Sequence, residues 1–199
     1  VLDMEKEEWT DIIPSTLNMH FTQFDGDIVY FPNVTQEAGV AGLFTYNPET
    51  KEIKQIDGIK LPIGAVVNPR VVQLKDQTSY PGKTIVAGAD SRGLLLINLD
   101  NKKVEYLKEE MISNATTLRD VKAGIGNDLI LSSYMGDKAV VYDVEKKAIR
   151  ITFPSLQIEG INVINNLYYC GMYGSGRLQV FDPSKPVKAN ENPKYVANM

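Results

Sequence analysis

Histidine occurs once in this chain, as His20, so any catalysis of the Ser/His/Asp or Cys/His kind has to pass through it. In the run Leu17-Asn18-Met19-His20-Phe21 it shares a strand face with Asn18 by period-two alternation. Asn18 in turn belongs to a set with Asn68, Arg119 and Glu159, the residues reached by counting back about seven positions from each of four hairpin turns. The amide and carboxylate oxygens of Asn18, Asn68 and Glu159 are the donor types that a divalent cation such as Ca²⁺ takes. Glu159 and His20 are the two candidates near this set for moving a proton in catalysis. The set holds one carboxylate, and the charge of Arg119 opposes a cation. The plain structural alternative is that these polar groups satisfy backbone and water.

A second group is built for recognition. Arg70, Arg92 and Arg177 with Tyr134 and Tyr173 suit an anionic small molecule or a protein partner. The only cysteine, Cys170, sits in Leu167-Tyr168-Tyr169-Cys170-Gly171 and reads as a buried strand thiol. The glycines Gly171, Gly174 and Gly176 lead into a strand rather than a helix, so they are turn chemistry and not a phosphate loop.

What must position these residues is a motif that occurs four times: an apolar run, Asn or Asp, a polar turn, and a second apolar run. Its anchors, Asn47, Asn98, Asp143 and Asp182, are spaced by 51, 45 and 39 residues. That period belongs to propeller blades or helical solenoids. β-branched and aromatic residues on both sides of an Asx turn favour the hairpin. Each copy is preceded by two further predicted strands. They are Asn18–Phe24 and Asp27–Phe31 around Asp25-Gly26, then Val66–Leu74 and Lys83–Gly88, with Pro69 arguing for loop before it. Next come Thr116–Lys122 and Asp128–Ser133, then Ile158–Ile164 and Leu167–Met172 around Asn165-Asn166. Lys194–Ala197 is the remaining candidate for an outer strand. Glu8–Ile13 is expected either to complete a blade or to form a short helix, Trp9 to anchor packing, and Glu109–Ile112 to make a helical turn. The pairs Lys102-Lys103 and Lys146-Lys147 read as solvated turns on the rim opposite the candidate site.

In Tyr134-Met135-Gly136-Asp137-Lys138-Ala139-Val140-Val141-Tyr142-Asp143-Val144, and more weakly from Asn18 to Ser184, the chain resembles the β-propeller superfamily. The likeness is greatest to the SMP-30/gluconolactonase-like and YVTN-type repeat propellers. The resemblance implies an all-β domain of four four-stranded blades at about 17–57, 61–108, 114–153 and 157–199. Four is fewer than most relatives of this kind have, so the blades form a complete ring, part of a larger one, or half of a ring closed by a homodimer. It also implies a ligand site where the innermost strands begin, and metal-assisted lactone or ester hydrolysis as the enzymatic alternative to a binding module or an assembly subunit.

A net charge of −4 lacks the basic footprint of a general nucleic-acid binder. No apolar run approaches the roughly 18 residues of a membrane span. The triplets Asn33-Val34-Thr35 and Asn114-Ala115-Thr116, with a chain that begins at Val1, lean toward a secreted or extracytoplasmic protein.

Overall fold

A computed structural model describes residues 2–9, 20–31, 42–61, 66–89, 93–107, 118–174 and 176–198. These residues form five antiparallel sheets and no helix. The first is a small hairpin, β1 (Leu2–Asp3) with β2 (Glu8–Trp9). Trp9 is 75% exposed there, so it is not the packing anchor its size suggests. Glu8 and Trp9 pair with β1 alone, and Glu109–Ile112 lies outside the described residues.

Four four-stranded sheets follow, each a meander in chain order. The first has β3 (His20–Phe24), β4 (Asp27–Phe31), β5 (Phe44–Tyr46) and β6 (Ile53–Gln55). The second has β7 (Val66–Val72), β8 (Thr84–Ala89), β9 (Gly93–Asn98) and β10 (Val104–Leu107). In the third are β11 (Leu118–Ala123), β12 (Asp128–Ser133), β13 (Lys138–Asp143) and β14 (Ala148–Pro154). The fourth holds β15 (Ile158–Ile164), β16 (Leu167–Met172), β17 (Arg177–Phe181) and β18 (Lys194–Asn198).

Turn chemistry fixes these registers. Asp25-Gly26 and Asn165-Asn166 take the paired positive φ values that a two-residue hairpin requires. All four anchors of the repeated motif cap their own turns. Asn47 Oδ1 accepts from the amides of Glu49 and Thr50 at 2.9 and 2.8 Å, and Asn98 Oδ1 from Asn101 at 3.2 Å. Asp143 Oδ1 accepts from Lys146 at 3.0 Å and Asp182 Oδ1 from Ser184 at 3.0 Å. Four residues after the first three anchors, Lys51, Lys102 and Lys147 all adopt left-handed φ, which closes the turn.

Packing follows from period-two alternation. In β8, Ile85, Ala87 and Ala89 face a core shared with the first sheet, whereas Val86 faces a core shared with the third. In β12, Leu129 and Leu131 turn back to the second sheet, while Ile130 turns forward to the fourth. The central strands β8, β9 and β12 are therefore buried along their whole length. Each sheet is joined to the next through its first strand, in the order β3, β7, β11, β15.

Candidate functional site

Three of the four first strands break register once, at corresponding places. The shifts fall between Val67 and Arg70 in β7, between Leu118 and Asp120 in β11, and between Ile158 and Gly160 in β15. The residues skipped are Asn68 with Pro69, Arg119, and Glu159. A bulge leaves its extra residue out of the ladder and re-aims its side chain, so three residues chosen for their chemistry stand where the ladder frees them. Asn68 holds a φ of 49°, which asparagine tolerates better than most residues. Pro69 lies inside β7 rather than ahead of it, because a bulge has no use for the missing N–H.

The bulged strands are tied to each other by side chains. Arg70 Nε stands 3.6 Å from Asp120 Oδ1, and Asp120 is only 3% exposed. Lys122 Nζ donates to the Ile161 carbonyl at 2.8 Å, linking β11 to β15. Arg70 and Lys122 thus tie the second sheet to the third and the third to the fourth. The Asp120 carboxylate also acts on Cys170, whose thiol is pushed up to about 12 by burial and by that charge. It is an inert core thiol, as its strand setting implies.

The surface beside the Glu159 bulge is organised by a residue that sequence reasoning missed. Gln157 is buried, and its Oε1 accepts the Met135 amide at 3.0 Å while its Nε2 donates to Glu159 Oε1. Its carbonyl accepts the Tyr173 amide at 2.9 Å. One side chain and its own backbone therefore fix the β12–β13 loop, the β16–β17 loop and the bulged carboxylate together. The two loop residues held this way are open to solvent, Met135 at 68% and Tyr173 at 59%, as is Tyr134 beside Met135 at 55%. Leu156, next to Gln157, is exposed as well. Met135 takes a φ of 53°, a strained choice for a residue with a Cβ.

Other candidates are not gathered here. Arg177 lies over the Tyr195 ring at 5.0 Å, directed along the fourth sheet toward β18. Asn18 and Arg92 lie outside the described residues, as do the side chains of His20 and Arg119. Of the donor set drawn for a cation, Asn68 and Glu159 fall within the described residues. Ca²⁺ takes roughly six to eight oxygens, whereas Asn68 and Glu159 come from strands with β11 between them, and Glu159 already accepts from Gln157. Among the described residues no group of three or more His, Cys, Asp or Glu could hold a metal ion.

At the opposite ends of the strands, a cleft of about 420 Å³ opens between the third and fourth sheets, lined by Ile125, Arg150, Asn165, Asn166, Asp182 and Ser184 among others. Its charges are already spoken for. Arg150 makes a two-point ion pair with Asp128. Asp182 is lowered to about 2 by hydrogen bonds from Ser184 and Lys185. The lysines of this rim are not all solvated either, since Lys103 lies 4.0 Å over the Tyr80 ring and both Lys103 and Lys147 pair with Glu105.

Two signals in the sequence could have found Gln157 and Asp120. A polar side chain two positions before a bulged residue can reach it, and a lone acid at an inward position of Leu118-Arg119-Asp120-Val121 needs a partner. Neither feature repeats in all four copies.

No protein-family profile matches this chain, and no curated protein matches it. Among solved structures it is similar to PorZ, an essential bacterial surface component of the type-IX secretion system of Porphyromonas gingivalis, with a TM-score of 0.57 and 16% sequence identity. The match covers 89% of this chain and 22% of that one, so the chain spans about a fifth of PorZ and the likeness is one of sheet-rich fold.

Proposed function

We propose that the four sheets are consecutive blades of a β-propeller and that the chain is a binding module, which engages a protein segment through Tyr134, Met135, Tyr173 and Leu156. The order in which β3, β7, β11 and β15 pack side by side supports the blade reading, since the first strand of each blade lines a propeller's axis. Aromatic residues and methionine are enriched where proteins meet. Methionine adds a surface that adapts to its partner.

The observation that carries the reading is Gln157, whose buried side-chain amide holds the Met135 loop while its backbone carbonyl holds the Tyr173 loop. Loops fixed before contact lose less entropy on binding, so affinity rises without added contact area. The test is selection from a random peptide library displayed on phage, with the protein immobilised through its amino terminus. Peptides that protect the Met135 and Tyr173 amides from hydrogen exchange support the reading. Selected peptides that protect only the Arg150 and Asp182 cleft would replace it with a site on the other rim.

The likeness to a bacterial surface component supports an extracytoplasmic location. Fractionation of cells expressing the protein from its native gene tests this. Recovery solely with the cytosol would reject it.

A further inference from the structure

We propose that the cleft between the third and fourth sheets binds a neutral, hydroxyl-rich small molecule of the saccharide class, on the rim opposite the loops of Tyr134, Met135 and Tyr173.

The cleft opens where the closure seen at the preceding joint is missing. In the second sheet, Glu105 follows Val104, the partner of Ile97 across the ladder. Lys147, in the β13–β14 turn of the third sheet, crosses to the Glu105 carboxylate, and the Tyr80 hydroxyl donates to it as well. The corresponding residue of the third sheet is Arg150, which follows Ile149, the partner of Tyr142. No lysine comes across to it in the same way. Lys147 stands four residues after the anchor Asp143, whereas four residues after Asp182 the chain has Pro186, whose short ring cannot reach back.

Arg150 turns to its own sheet instead, in the two-point pair with Asp128. It is also passed over in the ladder, because the register of β13 with β14 shifts between Ile151 and Ile149, and a bulge of this kind re-aims the side chain it frees. Of the five N–H donors of a guanidinium, the pair takes two. The Tyr168 hydroxyl draws on the group too, which leaves donors over for the cleft.

The walls are fixed before any ligand arrives. On one side the Ile125 amide donates to the buried Tyr168 hydroxyl at 3.1 Å. On the other, the side-chain amide of Asn192 donates to the carbonyls of Asp182, Lys185 and Pro186 at 2.8, 3.1 and 3.2 Å, which sets the position of Asp182 and Ser184. Asn165 and Asn166 complete the lining from a tight turn, at φ values of 52° and 60°. Groups held in place this way cost less to order on binding.

Charge decides the ligand class. Asp128 neutralises Arg150, and Lys185 Nζ stands 3.0 Å from Asp182 Oδ2, so the cleft offers a charged ligand no net field. It offers many hydrogen bonds nonetheless. Each asparagine amide both donates and accepts, the guanidinium donates, and the Ser184 hydroxyl, which gives its proton to Asp182 Oδ1 at 2.6 Å, is left as an acceptor. Ile125, Leu167 and Pro183 supply apolar surface between them. A sugar matches this mixture, since its hydroxyls donate and accept at the ring edge while its C–H groups are apolar. The volume of about 420 Å³ falls within the roughly 300–1,000 Å³ of small-molecule sites.

An amide NMR titration of the isotopically labelled chain tests this. The neutral probes are glucose, galactose, mannose and N-acetylglucosamine, and the charged ones glucuronic acid and glucosamine. The expected result is saturable shifts at Asn165, Asn166 and Ser184 with at least one neutral sugar, and weaker binding of both charged probes. Replacing the two asparagines together, Asn165→Gly/Asn166→Gly, removes both side-chain amides at positions whose left-handed φ glycine adopts freely, so the fold is kept. Affinity should then fall about tenfold or more, the loss of one to two hydrogen bonds. The proposal is overturned by no saturable shift with any neutral probe, by tighter binding of a charged probe, by shifts confined to the Tyr134, Met135 and Tyr173 loops, or by unchanged affinity in the double variant.

Discussion

Arg70 Nε lies 3.6 Å from Asp120 Oδ1, and this contact joins the first strands of two neighbouring sheets at the level of their bulges. The two partners are unequal, for Asp120 is almost wholly buried while the Arg70 side chain is 43% exposed. Removing the arginine leaves a buried carboxylate with less compensation, but solvent can reach the gap. Arg70→Ala should therefore cost about 1–2 kcal/mol, below the roughly 3–5 kcal/mol seen for fully buried pairs. Arg70→Lys should recover part of that. Urea unfolding of the three proteins measures it, and an unchanged midpoint for Arg70→Ala would mean that the pair contributes nothing.

The caps of the repeated motif should differ in weight. Asn98 is fully buried, and its amide donates to the carbonyls of Pro81 and Lys83 at 2.6 and 3.2 Å and to Thr84 Oγ1 at 3.1 Å. The Asn47 amide makes one such bond, to Asp27 at 2.8 Å. Asn98→Ala should cost about 2–3 kcal/mol through orphaned acceptors, and Asn47→Ala about 1 kcal/mol. Lys102→Gly should raise stability by up to about 1 kcal/mol, because glycine relieves its left-handed φ of 59°. Thermal melts of the three variants rank them.

Cys170 should resist alkylation while the chain is folded. Its thiol titrates near 12 rather than at the usual 9.0, so iodoacetamide at pH 8 meets a buried neutral group. The sign of the linkage follows: a raised thiol pKa favours folding while the unfolded thiol stays protonated, and that contribution is lost as pH rises from about 9 toward 12. Cys170→Ala should flatten the decline in stability over that window. Mass spectrometry after native labelling checks the first point and alkaline denaturation the second.

Gln157→Ala should release its two loops unequally. The Met135 amide loses its acceptor, whereas Tyr173 keeps its bond to the residue 157 carbonyl. Hydrogen exchange should therefore quicken at Met135 and hold at Tyr173, with strand amides of β12 and β16 unaffected. Unchanged exchange at Met135 would show that the side chain is not the tie.

Much of the sheet framework is legible in the sequence because its turns are chemically explicit. Asp25-Gly26, Asn165-Asn166 and the four Asx anchors state where strands end, so β4, β12, β15 and β16 run over the residues that alternation predicts. β7 and β8 miss by one or two residues at their ends, where no turn residue fixes the limit. Pro69 misleads in the other direction, since a proline that argues against a strand is admitted by a bulge. The site is less legible. Counting along strands locates Asn68, Arg119 and Glu159 at the bulges, but which side chains they meet depends on inter-sheet contacts that no local pattern encodes. For that reason the contact of Arg70 with Asp120 and the ties made by Gln157 go unnoticed in the sequence.

Whether the Tyr134, Met135 and Tyr173 surface is a recognition site is best measured by the affinity of a selected peptide for wild type, for Tyr134→Ala/Tyr173→Ala, and for Gln157→Ala. These tyrosines are exposed, so their loss should leave folding intact. The account predicts binding weakened about tenfold or more by the double substitution, the scale of an aromatic hot spot. Gln157→Ala should give a smaller loss with every contact residue still present, because only pre-organisation is gone. Equal affinity for all three proteins would contradict it.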